Sequence, residues 1–162
     1  MRNTEIMNGT VRVGVVSDTH GLLRPEIPSL LEGVDHILHA GDVGDIHILH
    51  RLALIAPVTA IRGNVDTTGP CAALSATDLV EINGTSIYMV HSIPDLDIKP
   101  EAAGVRVVVS GHTHKPTADE RNGVLYLNPG SIGPRRFRLP VSMAILHLSG
   151  DDARVEFVTL DS

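Results

Sequence analysis

Five apolar runs in this chain each end abruptly at residues able to hold a metal ion. Val11–Val16 stops at Ser17-Asp18-Thr19-His20, His36–His39 at Ala40-Gly41-Asp42, and Val58–Ile61 at Arg62-Gly63-Asn64. Thr85–Val90 stops at His91, and Val105–Val109 at Ser110-Gly111-His112-Thr113-His114. Short runs rich in β-branched residues read as strands, and those lacking polar alternation read as strands buried on both faces. Polar groups at the C-terminal ends of such strands lie where open α/β sheets bind ligands. The fold must therefore bring these five ends together.

The intervening segments fit a layered fold. Pro25–Leu31 reads as a short helix, with proline tolerated in its first turn, and Ile46–Ile55 as a second helix capped by Asp45 and stopped before Pro57. Leu79–Ile82, Asn83-Gly84 and Thr85–Val90 form a predicted tight hairpin, and Val141–Leu148 with Arg154–Leu160 another; Val124–Leu127 is a short strand. A βαβαβ opening followed by strand-rich sequence predicts an α/β fold with a mixed sheet. The 162 residues suit one domain, taken as 11–162, with 1–10 as an N-terminal tail. Its core must be aliphatic, since the chain has no Trp, two Phe and two Tyr.

Composition narrows the function. With 19 acidic against 13 basic residues and a net charge of −6, a nucleic-acid polymer is an unexpected partner. Cys71 stands alone, which excludes an intrachain disulfide and a thiolate cluster. Residues 1–10 lack an apolar signal core and no run is long enough to span a membrane, so a cytoplasmic protein is expected. The apolar C-terminal hairpin offers a surface through which a homo-oligomer could form.

The candidate ligands are Asp18, His20, Asp42, Asn64, His91, His112 and His114. Asp18 and His20, like His112 and His114, are two residues apart, which in extended backbone points both side chains to one side. Gly41, Gly63 and Gly111 precede ligand candidates and leave room for close approach. Carboxylate, amide and imidazole donors without sulfur suit manganese, iron, nickel, cobalt or zinc. Seven donors are too many for one catalytic ion and suit two ions sharing a carboxylate, roughly 3.5–4 Å apart. Two such ions bring about +4 against two carboxylates and a hydroxide, leaving a site that attracts phosphate.

Asp18-Thr19-His20, Gly41-Asp42-Val43-Gly44-Asp45, Gly63-Asn64-Val65-Asp66, His91 and Gly111-His112-Thr113-His114 resemble the calcineurin-like metallophosphoesterases. With Asn128-Pro129-Gly130-Ser131 added, the set is similar to the small single-domain prokaryotic phosphodiesterases of that family. The resemblance implies a four-layer α/β-β/α sandwich, two mixed sheets flanked by helices. It implies a metal-dependent phosphodiesterase acting on small phosphate esters, with two divalent ions, manganese foremost, and a bridging hydroxide attacking phosphorus. One ion would be held by Asp18, His20, Asp42 and His114, the other by Asp42, Asn64, His91 and His112.

Two departures stand out. Val65 occupies the position where larger relatives carry a His that contacts phosphate or assists the leaving group, so no side chain beyond the ions is assigned catalysis. Ser92 stands where the family usually has Gly. Asn64 and Arg135 are the candidate substrate contacts, although Arg135 and Arg136 also read as a solvated basic patch. His36, His39, His47, His50 and His147 read as structural or surface residues, Asp45 as an N-cap and Asp66 as a turn residue. The alternative function is a non-catalytic interaction scaffold, for which a retromer subunit similar to this family is the precedent.

Overall fold

Val11, Val13 and Val15 face one side of the first strand, while Val16 faces the other with Gly14. In the computed structural model, which describes residues 9–160, that alternation separates two cores. A Cβ on Gly14 would run into the side chain of Leu31, so glycine here lets the helical layer lie close to the sheet.

The first sheet has the order β10 (Asp152–Leu160), β9 (Val141–Ser149), β1 (Val11–Val16), β2 (His36–His39), β3 (Val58–Ala60). β1 pairs parallel with β2 and antiparallel with β9, so the sheet is mixed. The second sheet runs β4 (Thr77–Ile82), β5 (Thr85–Val90), β6 (Val107–Val109), β8 (Val124–Asn128), β7 (Thr117–Arg121) and is also mixed.

Between the sheets, Val13, Val15 and Leu38 meet Ile87, Met89, Val107 and Val109, all fully buried. Each such side chain contributes about 1.5–3 kcal/mol relative to exposure. The outer face of the first sheet packs under α1 (Ile27–Leu30) and α2 (Ile46–Leu52) through Ile27, Leu31, Leu49 and Leu52. On the second sheet, Tyr88, Val90 and Val108 lie under Leu96 and Ile98, and the helical cover thins to one 3₁₀ turn, Ile93–Asp95.

Both helices are shorter than predicted. After Leu52, the amides of Leu54 and Ile55 bond to Arg51 and Leu52, a tightening to i→i−3 that ends α2 before Pro57. The sequence predicts no strand at β7. Its sequence Thr-Ala-Asp-Glu-Arg is exposed throughout and carries no apolar period; it exists through pairing with β8. No helix among the described residues is long and apolar enough to cross a membrane. Residues 1–8 of the expected tail lie outside the described residues, as do residues 161–162.

Candidate metal centre

Three of the five strand ends turn inward through an unusual backbone. Asp18, His20, Asp42, His112 and His114 all have positive φ, between 47° and 71°. Left-handed conformations are costly for residues with a Cβ and gather at functional sites. Among the described residues, the other non-glycine residues with positive φ are Asn83 and Asn122, each before a glycine in a hairpin turn, and Phe137. The extended backbone expected at Asp18–His20 and His112–His114 is therefore corrected. Left-handed residues swing these side chains inward, and His112 and His114 separate into different groups.

Two triads result: Asp18, His20 and His114, and Asp42, His91 and His112, each with potential ligand atoms within 4.8 Å of one another. Asp42 Oδ2 lies 3.2 Å from His91 Nε2 of its own triad and 3.6 Å from His20 Nε2 of the other. His91 Nε2 and His114 Nε2 lie 3.8 and 3.4 Å from Asp18 Oδ1. Asp18 Oδ1 and the Nε2 atoms of His20, His91 and His114 are buried without a hydrogen-bond partner. Buried polar atoms normally have partners. Converging lone pairs left unsatisfied fit a divalent cation. Asn64 is exposed and lines a cavity of about 600 Å³ with His91, His112, Arg62, Thr77 and Ser92.

Supporting groups fix which atoms face inward. Ser17 Oγ and the His112 amide donate to Asp18 Oδ2 at 2.6 and 3.0 Å, leaving Oδ1 for the centre. The Val65 amide donates to Asp42 Oδ1 at 3.0 Å. His91 Nδ1 lies 2.7 Å from the Ala40 carbonyl and must donate to it, which presents the Nε2 lone pair to the carboxylates.

Two residues outside the ligand set hold the ligand loops, one of them, His39, from the strand position the sequence assigns to it. Asp66, read as a turn residue, is buried and accepts the amides of Val43, Gly44 and Gly63 at 3.1, 3.0 and 2.8 Å, joining two ligand loops. His39, read as structural, is fully buried behind them. Its Nδ1 accepts the Gly41 amide, so Nε2 carries the proton and donates to Thr19 Oγ1, which donates to the Val43 carbonyl. A polar residue buried inside an apolar run was the signal available for it. The glycines act as expected: a Cβ at Gly63 would overlap the Asp42 carboxylate, and one at Gly111 the Ser17 hydroxyl.

Charge follows geometry. The His20 pKa is raised by the Asp18 carboxylate against the effect of burial. Burial pulls His91 down, but Asp42 and the Ala40 carbonyl outweigh it and the net shift is upward. Burial favours a protonated Asp42, yet His91, the Val65 amide and His20 hold its carboxyl far below the usual range. Burial lowers His114, and Arg136 works in the same direction on His114 and His20. Arg135 instead directs Nε to the Leu139 carbonyl at 3.2 Å. Asn128 Nδ2 donates to the Gly111 carbonyl, and Ser131 Oγ to the Asp18 carbonyl, so the Asn-Pro-Gly-Ser turn braces both metal loops. His47 and His50 are exposed on α2, where Asp45 accepts from the His47 amide as an N-cap.

The sequence profile of the calcineurin-like phosphoesterase superfamily domain matches residues 11–151. The chain belongs to this superfamily. A probable metallophosphoesterase of Methanocaldococcus jannaschii is 38% identical over 160 residues, covering 91% of this chain and 80% of the relative. A phosphodiesterase of the same organism is 28% identical over 141 residues, covering 74% of this chain and 83% of that protein. Vacuolar protein sorting 29 from Cryptosporidium parvum superposes with a TM-score of 0.75 at 20% identity, over 94% of this chain and 99% of that one, a likeness of fold alone. Within a metal-dependent phosphoesterase superfamily, the two triads are this chain's candidate ligand groups.

Proposed function

We propose that this chain is a metal-dependent hydrolase of phosphodiesters working with two divalent ions, manganese foremost, in the cytoplasm. One observation carries the reading: two donor triads, with Asp42 Oδ2 within 3.6 Å of His20 in one and 3.2 Å of His91 in the other. Asp42 is the bridging carboxylate in this reading. Asp18, His20 and His114 complete one ion's ligands, and Asn64, His91 and His112 the other's. When bound, the ions would supply an activated water as nucleophile and positive charge against the phosphoryl oxygens.

The protein's own part is orientation. Asp66 and His39 hold the ligand loops, and Ser17 aims the Asp18 carboxylate. Asn64 and Arg135 are the proposed substrate contacts, and the charge of Arg136 adds to the field at the mouth. Val65, half-exposed at the site edge, offers no proton to a departing alkoxide. Aryl diesters should therefore turn over much faster than alkyl diesters, and equal rates would count against this assignment.

Metal analysis with hydrolysis of bis(4-nitrophenyl) phosphate under added manganese tests the proposal. Two ions per chain and turnover are expected, with both lost in Asp42→Ala and retained in His47→Ala. A protein that binds no divalent ion and is inert with every one supplied would favour the scaffold alternative. Against that alternative stand seven positions that all keep donors able to coordinate.

A further inference from the structure

A second cavity, about 390 Å³, adjoins the metal centre on the outer face of the second sheet. Ser92 and His112 line both cavities, so the two meet at the proposed ligand His112. The second cavity is walled by β7 and β8, where Asp119 pairs across from Tyr126. Its volume lies within the ~300–1,000 Å³ typical of small-ligand sites.

Its distinguishing feature is a stacked pair. The Arg121 guanidinium carbon lies 4.1 Å from the centroid of the Tyr126 ring. Tyr126 is half-buried and packs on the outer apolar cluster with Tyr88 and Val108, so Arg121 rests on a fixed aromatic base. A guanidinium seated over an aromatic ring offers a planar face on which further planar groups stack. Lys115 and Arg121 line the same recess against one carboxylate, Asp119, so its charge suits an anionic ester.

We infer that the recess of Arg121, Tyr126 and Lys115 is the subsite for a planar aromatic arm of the phosphodiester, an aryl group or nucleobase. This rests on the phosphodiesterase reading, because phosphorus at the ions puts one ester arm beside His112. The wider cavity, with Arg62, Thr77, Asp95 and Asp97, is left for the other arm. Ser92, at the position where the resemblance implies a glycine, borders both cavities.

The test compares calorimetric binding of phenylphosphonate and methylphosphonate to the metal-loaded protein. The phenyl compound should bind about tenfold tighter, the worth of one stacking contact. That preference should vanish in Arg121→Ala and Tyr126→Ala and persist in Tyr126→Phe, while methylphosphonate binds the wild type and both Tyr126 variants alike. In hydrolysis, both alanine variants should raise KM for bis(4-nitrophenyl) phosphate, and Tyr126→Phe should leave it unchanged. Absence of a phenyl preference, or its survival in both alanine variants, overturns the subsite even if diesters are hydrolysed. A phenyl preference carried by these residues in a protein inert towards every diester would instead keep the recess and sink the hydrolase reading.

Discussion

Asp18 Oδ2 accepts the backbone N–H of His112 at 3.0 Å, linking the end of β1 in one sheet to the end of β6 in the other. The same oxygen accepts from Ser17 Oγ at 2.6 Å, so one carboxylate oxygen is committed to the scaffold and the other, unpartnered, to the centre. Asp18→Asn can keep the scaffold oxygen but turns an NH₂ toward ring nitrogens that need a cation. It should fold and bind one ion fewer, as read by manganese titration calorimetry. Ser17→Ala removes one orienting donor and should weaken metal binding about 10–100-fold.

Asp66 carries a comparable duty for the other loops. Asp66→Ala leaves three amides without their acceptor, two of them in the loop after Asp42 and one at Gly63. Orphaned buried donors cost about 1–3 kcal/mol each, and partial solvent access lowers the sum, so a loss of about 3 kcal/mol is expected. For a chain of this size that is a fall in Tm of roughly 10 °C, with Asp66→Asn intermediate because one oxygen remains. Thermal unfolding of the metal-free proteins measures this without interference from ligand binding.

The strand ends and their donors were legible because buried strands leave continuous apolar runs, as at Val11–Val16, and the ligand residues interrupt them. What escaped was set by tertiary context. Nothing local marks Asp18 or His114 as left-handed; that conformation is imposed by loops pressed together, as where Gly63 lies on the Asp42 carboxylate. Asp66 looks like any turn aspartate until Val43 and Gly44 are folded over it. β7 is an edge strand exposed on both faces, so it has no apolar period to read. The Arg121–Tyr126 stack shares that origin, since it depends on the pairing of β7 with β8.

His39 gives a pH dependence with a definite sign. Burial lowers its pKa from 6.5 to about 4, in agreement with a neutral ring whose Nδ1 accepts the Gly41 amide. Between those values the unfolded chain binds the proton and the folded chain does not. The stability from His39 is thus present above 6.5 and lost as pH falls towards 4. Metal-free protein should lose about 2–3 kcal/mol from this group between roughly pH 7 and pH 4.5. His36, also lowered by burial, adds to the same slope. The difference between wild type and His39→Gln in urea unfolding at several pH values isolates the His39 share, and parallel curves would refute it.

Gly63 tests whether close approach, rather than loop flexibility, builds the centre. Its φ lies outside the left-handed range, so Gly63→Ala adds little backbone strain, but the new methyl overlaps the carboxylate and amide of Asp42. Something must shift, and the neighbour is the residue proposed to bridge the ions. Affinity for both ions should therefore fall by at least about tenfold, from loss of ligand geometry. Gly104→Ala supplies the opposite combination: φ is +76°, yet nothing lies within 4 Å of the added methyl. That variant should lose about 1 kcal/mol of stability to backbone strain and bind metal as the wild type does. Equal metal affinities in the two variants would mean that the contact between Gly63 and Asp42 does not position the bridge.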